Sequence, residues 1–262
     1  MGEHAAPTRS RLLAVIPARG GSRGLPGKNI RPFAGVPLIA HTIRYAKRCS
    51  DIARCIVTTD SPAIAEVARQ HGGDVPFLRP AELAQHATPM WPVLRHALAQ
   101  VEAQDGAYDA LLLLDPTSPT RELSDVAEAL RRLEAQPDAD GIISVSQPDA
   151  NPIWHCVVDR DGWMADLIAG GNRFACRQEL PVVYHINGLI YIWRAAFMRR
   201  VENDFWRDEG RFLMYETPEV RAVSIDTPDQ FDRAELLVKG GVIRLPWLEP
   251  ASAPAATPGA VA

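Results

Sequence analysis

Residues 12–29 read LLAVIPARGGSRGLPGKN, and this stretch decides the fold. Leu12 to Ile16 is an apolar run without polar alternation, which predicts a central strand of a parallel sheet, buried on both faces. Pro17 closes it, and Gly20, Gly21, Gly24 and Gly27 then break any regular structure. A long irregular loop inside a compact domain is usually functional. Because it follows a strand, it lies at the carboxyl edge of the sheet, where open α/β folds bind ligands. Glycines let backbone N–H groups approach a ligand closely, and Arg19, Arg23 and Lys28 add three cations. That combination suits a polyphosphate, whose oxygens take the amides and whose charge the cations offset.

Two familiar glycine motifs do not account for the loop. A P-loop requires glycine five residues before Gly27 and Ser or Thr after Lys28; the chain has Ser22 and Asn29. A dinucleotide fingerprint requires Gly-x-Gly-x-x-Gly, and neither Gly20-Gly21 nor Gly24-x-x-Gly27 supplies it.

The flanking sequence alternates between strand and helix patterns, which predicts an α/β domain. Leu38, Ile39, Thr42, Ile43 and Tyr45 recur at helical spacing. Strands are predicted at Cys55–Thr59, Leu111–Leu114, Gly141–Val145, Leu189–Trp193 and Val220–Ile225. Asp60-Ser61-Pro62 starts one helix and Ser124 caps another, while a last helix runs from Asp229 to Val238. Residues 147–187 break this rhythm with Pro148, Pro152, Gly162, Gly170, Gly171 and Pro181, and read as an inserted, partly β excursion. The predicted boundaries are a flexible lead-in over 1–10, a domain over 11–248 and a disordered Ala/Pro-rich tail over 249–262.

Composition narrows the function classes. The chain has 262 residues, 28 Lys+Arg against 32 Asp+Glu, and 47% hydrophobic residues. That is enough to bury a sizeable core, without the basic balance that nucleic-acid binding requires. Apolar runs stop at about five residues, well below the ~20 of a membrane span. Met1 to Ser10 lacks the apolar core of a secretory signal. Cys49, Cys55, Cys156 and Cys176 form no Cys-x-x-Cys pair or zinc-finger spacing. These features predict a cytoplasmic protein with no nucleic-acid or membrane partner.

The motifs together resemble the acylneuraminate cytidylyltransferases, the CMP–sialic acid synthetases and their relatives. The resemblance runs from the glycine loop through Thr58-Thr59-Asp60, Leu78 to Leu83, Arg95 to Leu98, Asp115 to Pro119 and Asn187 to Tyr191, ending at Ser224 to Asp229. It implies a Rossmann-like, mostly parallel sheet flanked by helices, with the insertion serving dimerisation. It also implies transfer of CMP from CTP to the anomeric hydroxyl of a nonulosonic acid, with Mg2+ and release of pyrophosphate, in a homodimer. By the same resemblance, Arg19, Lys28 and Asp226 are the catalytic candidates. Ala18, Arg19, Gly20, Gly21, Ser22, Arg23, Lys28 and Asn29 hold the nucleotide, with Arg79 nearby and Thr117 and Ser118 on the floor. Asp115, Arg177, Gln178, His185 and Asn187 face the acceptor, and Asp226 is a metal ligand.

Three departures bear on the acceptor and the metal. Most sialate enzymes have Gln where this chain has Asp115, and a polar residue followed by Pro where it has His185-Ile186. Many have Asp-Ile-Asp where it has Ser224-Ile225-Asp226. Asp115 and Asp226 both end predicted central strands, so they could bind Mg2+ together, as the Asp at a comparable strand end in CMP-Kdo synthetases suggests. The other reading is that Asp115 caps the turn before Pro116. His185 either meets the acceptor's carboxylate or lies exposed at a loop edge. His96 reads as a packed residue, and Trp154, Trp163 and Trp206 as a subunit contact. The alternatives to a sialic-acid-like acceptor are a Kdo-like sugar, a small phosphonate, or a nucleotide-binding homologue without catalysis.

Overall fold

The computed structural model describes residues 10–248. Apart from Ser10, the expected lead-in and tail lie outside the described residues. Strand β1 (Leu12–Pro17) is buried along its whole length. Leu12, Ala14 and Ile16 join one core cluster and Leu13 and Val15 the other, because alternate side chains of a strand load opposite faces. The glycine loop follows, then a small hairpin of β2 (Pro32–Phe33) and β3 (Val36–Pro37), and helix α1 (Leu38–Arg48). The chain continues through β4 (Ile52–Thr58), α2 (Pro62–Gln70), α3 (Met90–Asp105), β5 (Ala110–Leu113), α4 (Asp125–Glu134) and β6 (Gly141–Ser146). The insertion carries α5 (Pro152–His155) and the hairpin β7 (Val157–Arg160) and β8 (Trp163–Asp166). The domain resumes with β9 (His185–Arg194), α6 (Ala195–Arg200), β10 (Phe212–Glu216) and α7 (Pro228–Lys239).

The main sheet has six strands in the order β10-β6-β9-β5-β1-β4. Strand β1 runs parallel to β4 and β5, β10 runs parallel to β6, and β9 is antiparallel to both neighbours. The predicted Rossmann-like α/β sheet is therefore what forms. The antiparallel strand follows from the insertion: β6 delivers the chain to the carboxyl edge, the excursion stays there, and re-entry from that edge reverses the direction. Strand β1 sits between β4 and β5, so successive connections leave it on opposite sides. The loop after β1 thus opens at the topological switch point.

Helix starts follow local chemistry. Ser61 Oγ accepts from the Ile64 N–H at 3.4 Å with Pro62 in the first turn of α2, and α7 opens on a reciprocal Thr227–Gln230 capping box. Two expectations are corrected. The Ser124 side chain caps nothing; Asp125, one residue on, accepts from the Glu122 N–H at 2.8 Å instead. Val220–Ile225 is not a strand: the edge strand is β10, further back. Pro218 and a 3-10 turn at Glu219–Arg221 lift the following residues off the sheet. The Ile225 N–H then reaches the Thr117 carbonyl at 2.9 Å, so the segment runs across the carboxyl edge.

His41 of α1 is fully buried behind the loop. Its Nε2 donates to the Phe33 carbonyl at 2.8 Å, and its Nδ1 accepts from the Trp247 indole N–H at 3.1 Å. Only the neutral ring can satisfy both partners. Burial pushes its pKa down to about 4.

Candidate active site

The glycine loop is hydrogen-bonded to its surroundings at its two ends. The Ala18 N–H donates to the Thr58 carbonyl, and the Gly20 N–H donates to Asp60 Oδ1, both at 3.0 Å. Gly27, with φ of 67°, turns the chain into a 3-10 turn at Lys28–Ile30. A Cβ on Gly24 would lie 2.4 Å from the Asp226 carbonyl oxygen, so only glycine lets the loop rest on that segment. Asn29 donates from Nδ2 to the Arg19 carbonyl at 3.2 Å, and Arg19 donates to the His86 carbonyl at 3.2 Å.

Lys28 and Asp226 meet across the loop at 2.7 Å, the lysine shielded and the carboxylate more exposed. Ser224 donates its hydroxyl to Asp226 Oδ2 at 2.9 Å. Burial alone pushes the Asp226 carboxyl up, but the Lys28 and Ser224 hydrogen bonds outweigh it and the net displacement is downward. Asp115 is displaced the other way, to about 6, mainly by burial and further by the Asp226 charge, against opposing Arg121 and Lys28. Asp115 also opens a turn, since its carbonyl accepts from the Ser118 N–H at 3.2 Å; the turn uses its backbone, not its carboxylate.

These groups line a cleft of about 680 Å³ at the carboxyl edge. Arg19, Ser22, Arg23, Lys28 and Asn29 contribute from the loop, and Thr117 and Ser118 from the turn after β5, with Asp115, Asn187, Asp226 and Arg79 also on the wall. Ala18, Gly20 and Gly21 shape the start of the loop without lining the cleft. Arg79 is held by the Thr58 carbonyl at 2.5 Å, and burial lowers its pKa to about 10.

The acceptor-side candidates divide. Asn187 borders the cleft, but its amide nitrogen is already given to Ser146 Oγ at 2.8 Å and Thr217 Oγ1 at 2.7 Å. His185 pairs with Glu219 at 2.6 Å and does not line the cleft. Arg177 and Gln178 stand exposed on a 3-10 turn of the insertion, outside the lining of their own chain's cleft. Trp154 and Trp163 are exposed on the insertion, Trp163 at 79%. Trp206 instead packs inward, stacked on Trp91 with centroids 5.8 Å apart, because its loop folds over α3 and not outward. His96 meets the Phe77 ring edge-on at 5.2 Å, as a packed residue would.

Four residues were not singled out as site residues from sequence. Asp60 anchors Gly20, Ser224 orients Asp226, and Arg121 contacts the Asp115 carbonyl. Tyr191 lines the cleft while stacked on Trp193. Burial and the Asp115 charge push its hydroxyl up to about 12. Asp60 carried a usable signal, because it follows a strand that ends at the same edge as β1.

No group of three or more His, Cys, Asp or Glu among the described residues is placed to hold a metal. Asp115 and Asp226 nevertheless face one cleft, and the charge of Asp226 acts on Asp115. Two hard oxygen donors beside open space fit Mg2+, which takes one or two carboxylates and completes its shell with phosphate oxygens and water.

The cytidylyltransferase family model matches residues 13–146. The chain is 35% identical to the CMP-N,N'-diacetyllegionaminic acid synthase of Legionella pneumophila over 87% of this chain and 97% of that one. It is 32% identical to the post-translational flagellin modification protein B of Campylobacter coli, over 88% and 96% respectively. Among solved structures, CMP:2-keto-3-deoxy-manno-octonic acid synthetase complexed with CTP superposes with a TM-score of 0.68 at 19% identity, covering 88% of this chain and 100% of that one. At that identity the likeness concerns the fold.

Proposed function

The chain belongs to the cytidylyltransferase family, and from that membership we propose that its acceptor is a nonulosonic acid of the diacetyllegionaminic type. It is a CTP-dependent nucleotidyltransferase that moves CMP from CTP to an acidic sugar and releases pyrophosphate. The acceptor assignment is supported by similarity to a diacetyllegionaminate enzyme along nearly the whole of both chains. It also accords with the departures from the sialate pattern at Asp115, His185-Ile186 and Ser224.

The acceptor's anomeric oxygen attacks the α-phosphorus of CTP in line with the departing pyrophosphate. The protein's task is then positioning and charge neutralisation. Lys28 and Arg19, on the glycine loop, meet the charge that grows on the leaving group. Ser22, Arg23 and Asn29 fix the phosphates and ribose, Arg79 lies beside the nucleotide, and Thr117 and Ser118 floor the pocket. Asp115 and Asp226 would hold Mg2+, which when bound supplies further neutralisation of phosphate charge. Ser224 keeps the Asp226 carboxylate turned toward Lys28. The single observation that carries this reading is the 2.7 Å Lys28–Asp226 contact beside Asp115, inside the cleft at the switch point.

Two further assignments belong to the same reading. The enzyme works as a homodimer, in which Arg177 and Gln178 of one copy reach the acceptor site of the other. Their exposure on the insertion, beside bare Trp163 and Met164, supports this. It acts in the cytoplasm, where CTP is made; no helix among the described residues is long and apolar enough to cross a membrane.

Pyrophosphate release with each of the four NTPs and Mg2+ tests the reading, against N,N'-diacetyllegionaminic, pseudaminic and N-acetylneuraminic acids, Kdo and a small phosphonate. Turnover with CTP and the diacetyllegionaminate alone is the expected outcome. Preference for Kdo or a phosphonate would move the acceptor assignment. Binding of CTP without turnover of any acid would favour a homologue that has lost catalysis.

A further inference from the structure

We propose that Arg121 is a positioning residue for the acceptor side of the cleft, tying the turn that carries Asp115 to a bulge in β9 and so fixing the width across which acceptor and nucleotide meet. The proposal rests on the reading of the cleft given above.

The bulge creates the need. Strand β9 pairs Tyr191 with Ile143 of β6, but the next pairs are Ile186 with Val145 and His185 with Ser146. Residues 187–190 are thus pushed out of register, a device that is over-represented beside active sites. Gly188 takes a φ of 77° there, and a Cβ on it would stand 3.0 Å from Ser118 Oγ, so the bulge leans on the turn after β5. Side chains serve the displaced backbone groups. The Leu189 N–H donates to Asn187 Oδ1 at 3.2 Å, and the Ile190 N–H donates to Ser144 Oγ at 2.7 Å. The Leu189 carbonyl accepts from Arg121 Nε at 2.6 Å, while Arg121 Nη2 donates to the Asp115 carbonyl at 2.9 Å. One planar guanidinium therefore spans both walls of the acceptor side. A lysine, with a single point of charge, cannot hold two carbonyls in that fixed relation.

Burial makes this choice expensive. Arg121 is 1% exposed, with the Tyr45 ring 5.8 Å from its guanidinium carbon. Asp115 and Asp125 act on it electrostatically, yet neither pairs with it directly. A buried cation without a contacting carboxylate is costlier than an apolar side chain of the same shape. A local rule broken at the wall of a binding cleft marks a functional constraint. Strand β9 supplies its own control at its far end. Half-buried Arg194 likewise bridges carbonyls, from Nε to Ala139 and from Nη2 to Leu133, both at 2.8 Å, and from Nη2 to Gln136 at 3.3 Å, but remote from the cleft.

The test compares Arg121→Lys with Arg194→Lys. Steady-state pyrophosphate release is measured with CTP, Mg2+ and N,N'-diacetyllegionaminic acid, together with calorimetric CTP affinity and thermal unfolding. In Arg121→Lys, kcat should fall ~10- to 100-fold, the scale of a displacement of about an ångström, and the acceptor KM should rise. The CTP Kd should change less than kcat and the acceptor KM, because the glycine loop is untouched while Thr117 and Ser118 share the turn that Arg121 holds. Arg194→Lys should lower Tm to a similar degree and leave kcat and both substrate constants unchanged. If the two variants behave alike, Arg121 is a structural arginine and the proposal is overturned. If the wild type turns over none of the acids, the acceptor reading fails instead, and amide hydrogen exchange decides the present question. Faster exchange confined to 115–121 and 186–190 in Arg121→Lys supports the proposal; unchanged exchange there refutes it.

Discussion

The two halves of the cleft are finished to different degrees. On the nucleotide side, the loop after β1 is anchored by Thr58, Asp60 and Asn29, and its lysine already has a carboxylate partner 2.7 Å away. On the acceptor side, the insertion shows Trp163 and Met164 to solvent at 79% and 80%, and its polar candidates Arg177 and Gln178 line nothing within their own chain. Exposed apolar patches of this kind mark interaction sites in general, and the proposed homodimer would cover this one. The contrast is between a loop fixed within its own chain and an insertion whose apolar side chains are left bare.

The contrast can be broken most sharply at Lys28. Lys28→Ala should raise the barrier by about 3–4 kcal/mol, seen as a loss of roughly 10²–10³ in kcat, with Tm nearly unchanged. Unchanged turnover in single-turnover kinetics would remove the loop from the chemistry. The second effect concerns the fold beneath the loop. His41 is neutral when buried, with its pKa at about 4 against 6.5 in the unfolded chain. Between those values only the unfolded state binds the proton, so stability is complete above pH 6.5 and declines as pH falls toward 4. The loss is about 3 kcal/mol, readable by urea unfolding at several pH values. His41→Gln should flatten that part of the profile; an unaltered slope would assign it to other groups.

Third, Trp163→Asp should weaken self-association by about 2 kcal/mol, the size of an interface hot spot. Sedimentation should then show dissociation, with turnover reduced and CTP affinity preserved. A variant that stays associated would clear the insertion of that role. The smallest effect is expected at Asp60→Asn, which replaces a charged acceptor of the Gly20 N–H by a neutral one. CTP affinity should weaken by about 1 kcal/mol, measured by calorimetry.

Legibility in the sequence followed the same division. Glycines, cations and their place after an apolar run encode the loop locally, so its position at the carboxyl edge could be read from the chain. Asp115 and Asp226 do line one cleft, although the expectation took Asp226 to end a central strand and the segment before it runs across the carboxyl edge instead. Val220–Ile225 misled, since Val223 and Ile225 pack on the core without sheet pairing, and Pro218 and the turn after it lift the segment off the sheet. The reversed direction of β9 and its bulge depend on where the insertion leaves and rejoins the sheet, which no local pattern records. Arg121 was invisible for a related reason: its value lies in two carbonyls, one of them 68 positions away along the chain.

The Lys28–Asp226 pair joins residues 198 positions apart. During synthesis, the cradle for the triphosphate emerges early, while its carboxylate arrives only when nearly all of the domain has left the ribosome. A truncated chain or a stalled intermediate therefore carries cations without the anion that balances them. The contact is a late, long-range closure, slow to form on entropic grounds. The cleft thus takes its final form only after α7, whose Gln230 accepts from the Asp226 N–H at 2.8 Å, has docked.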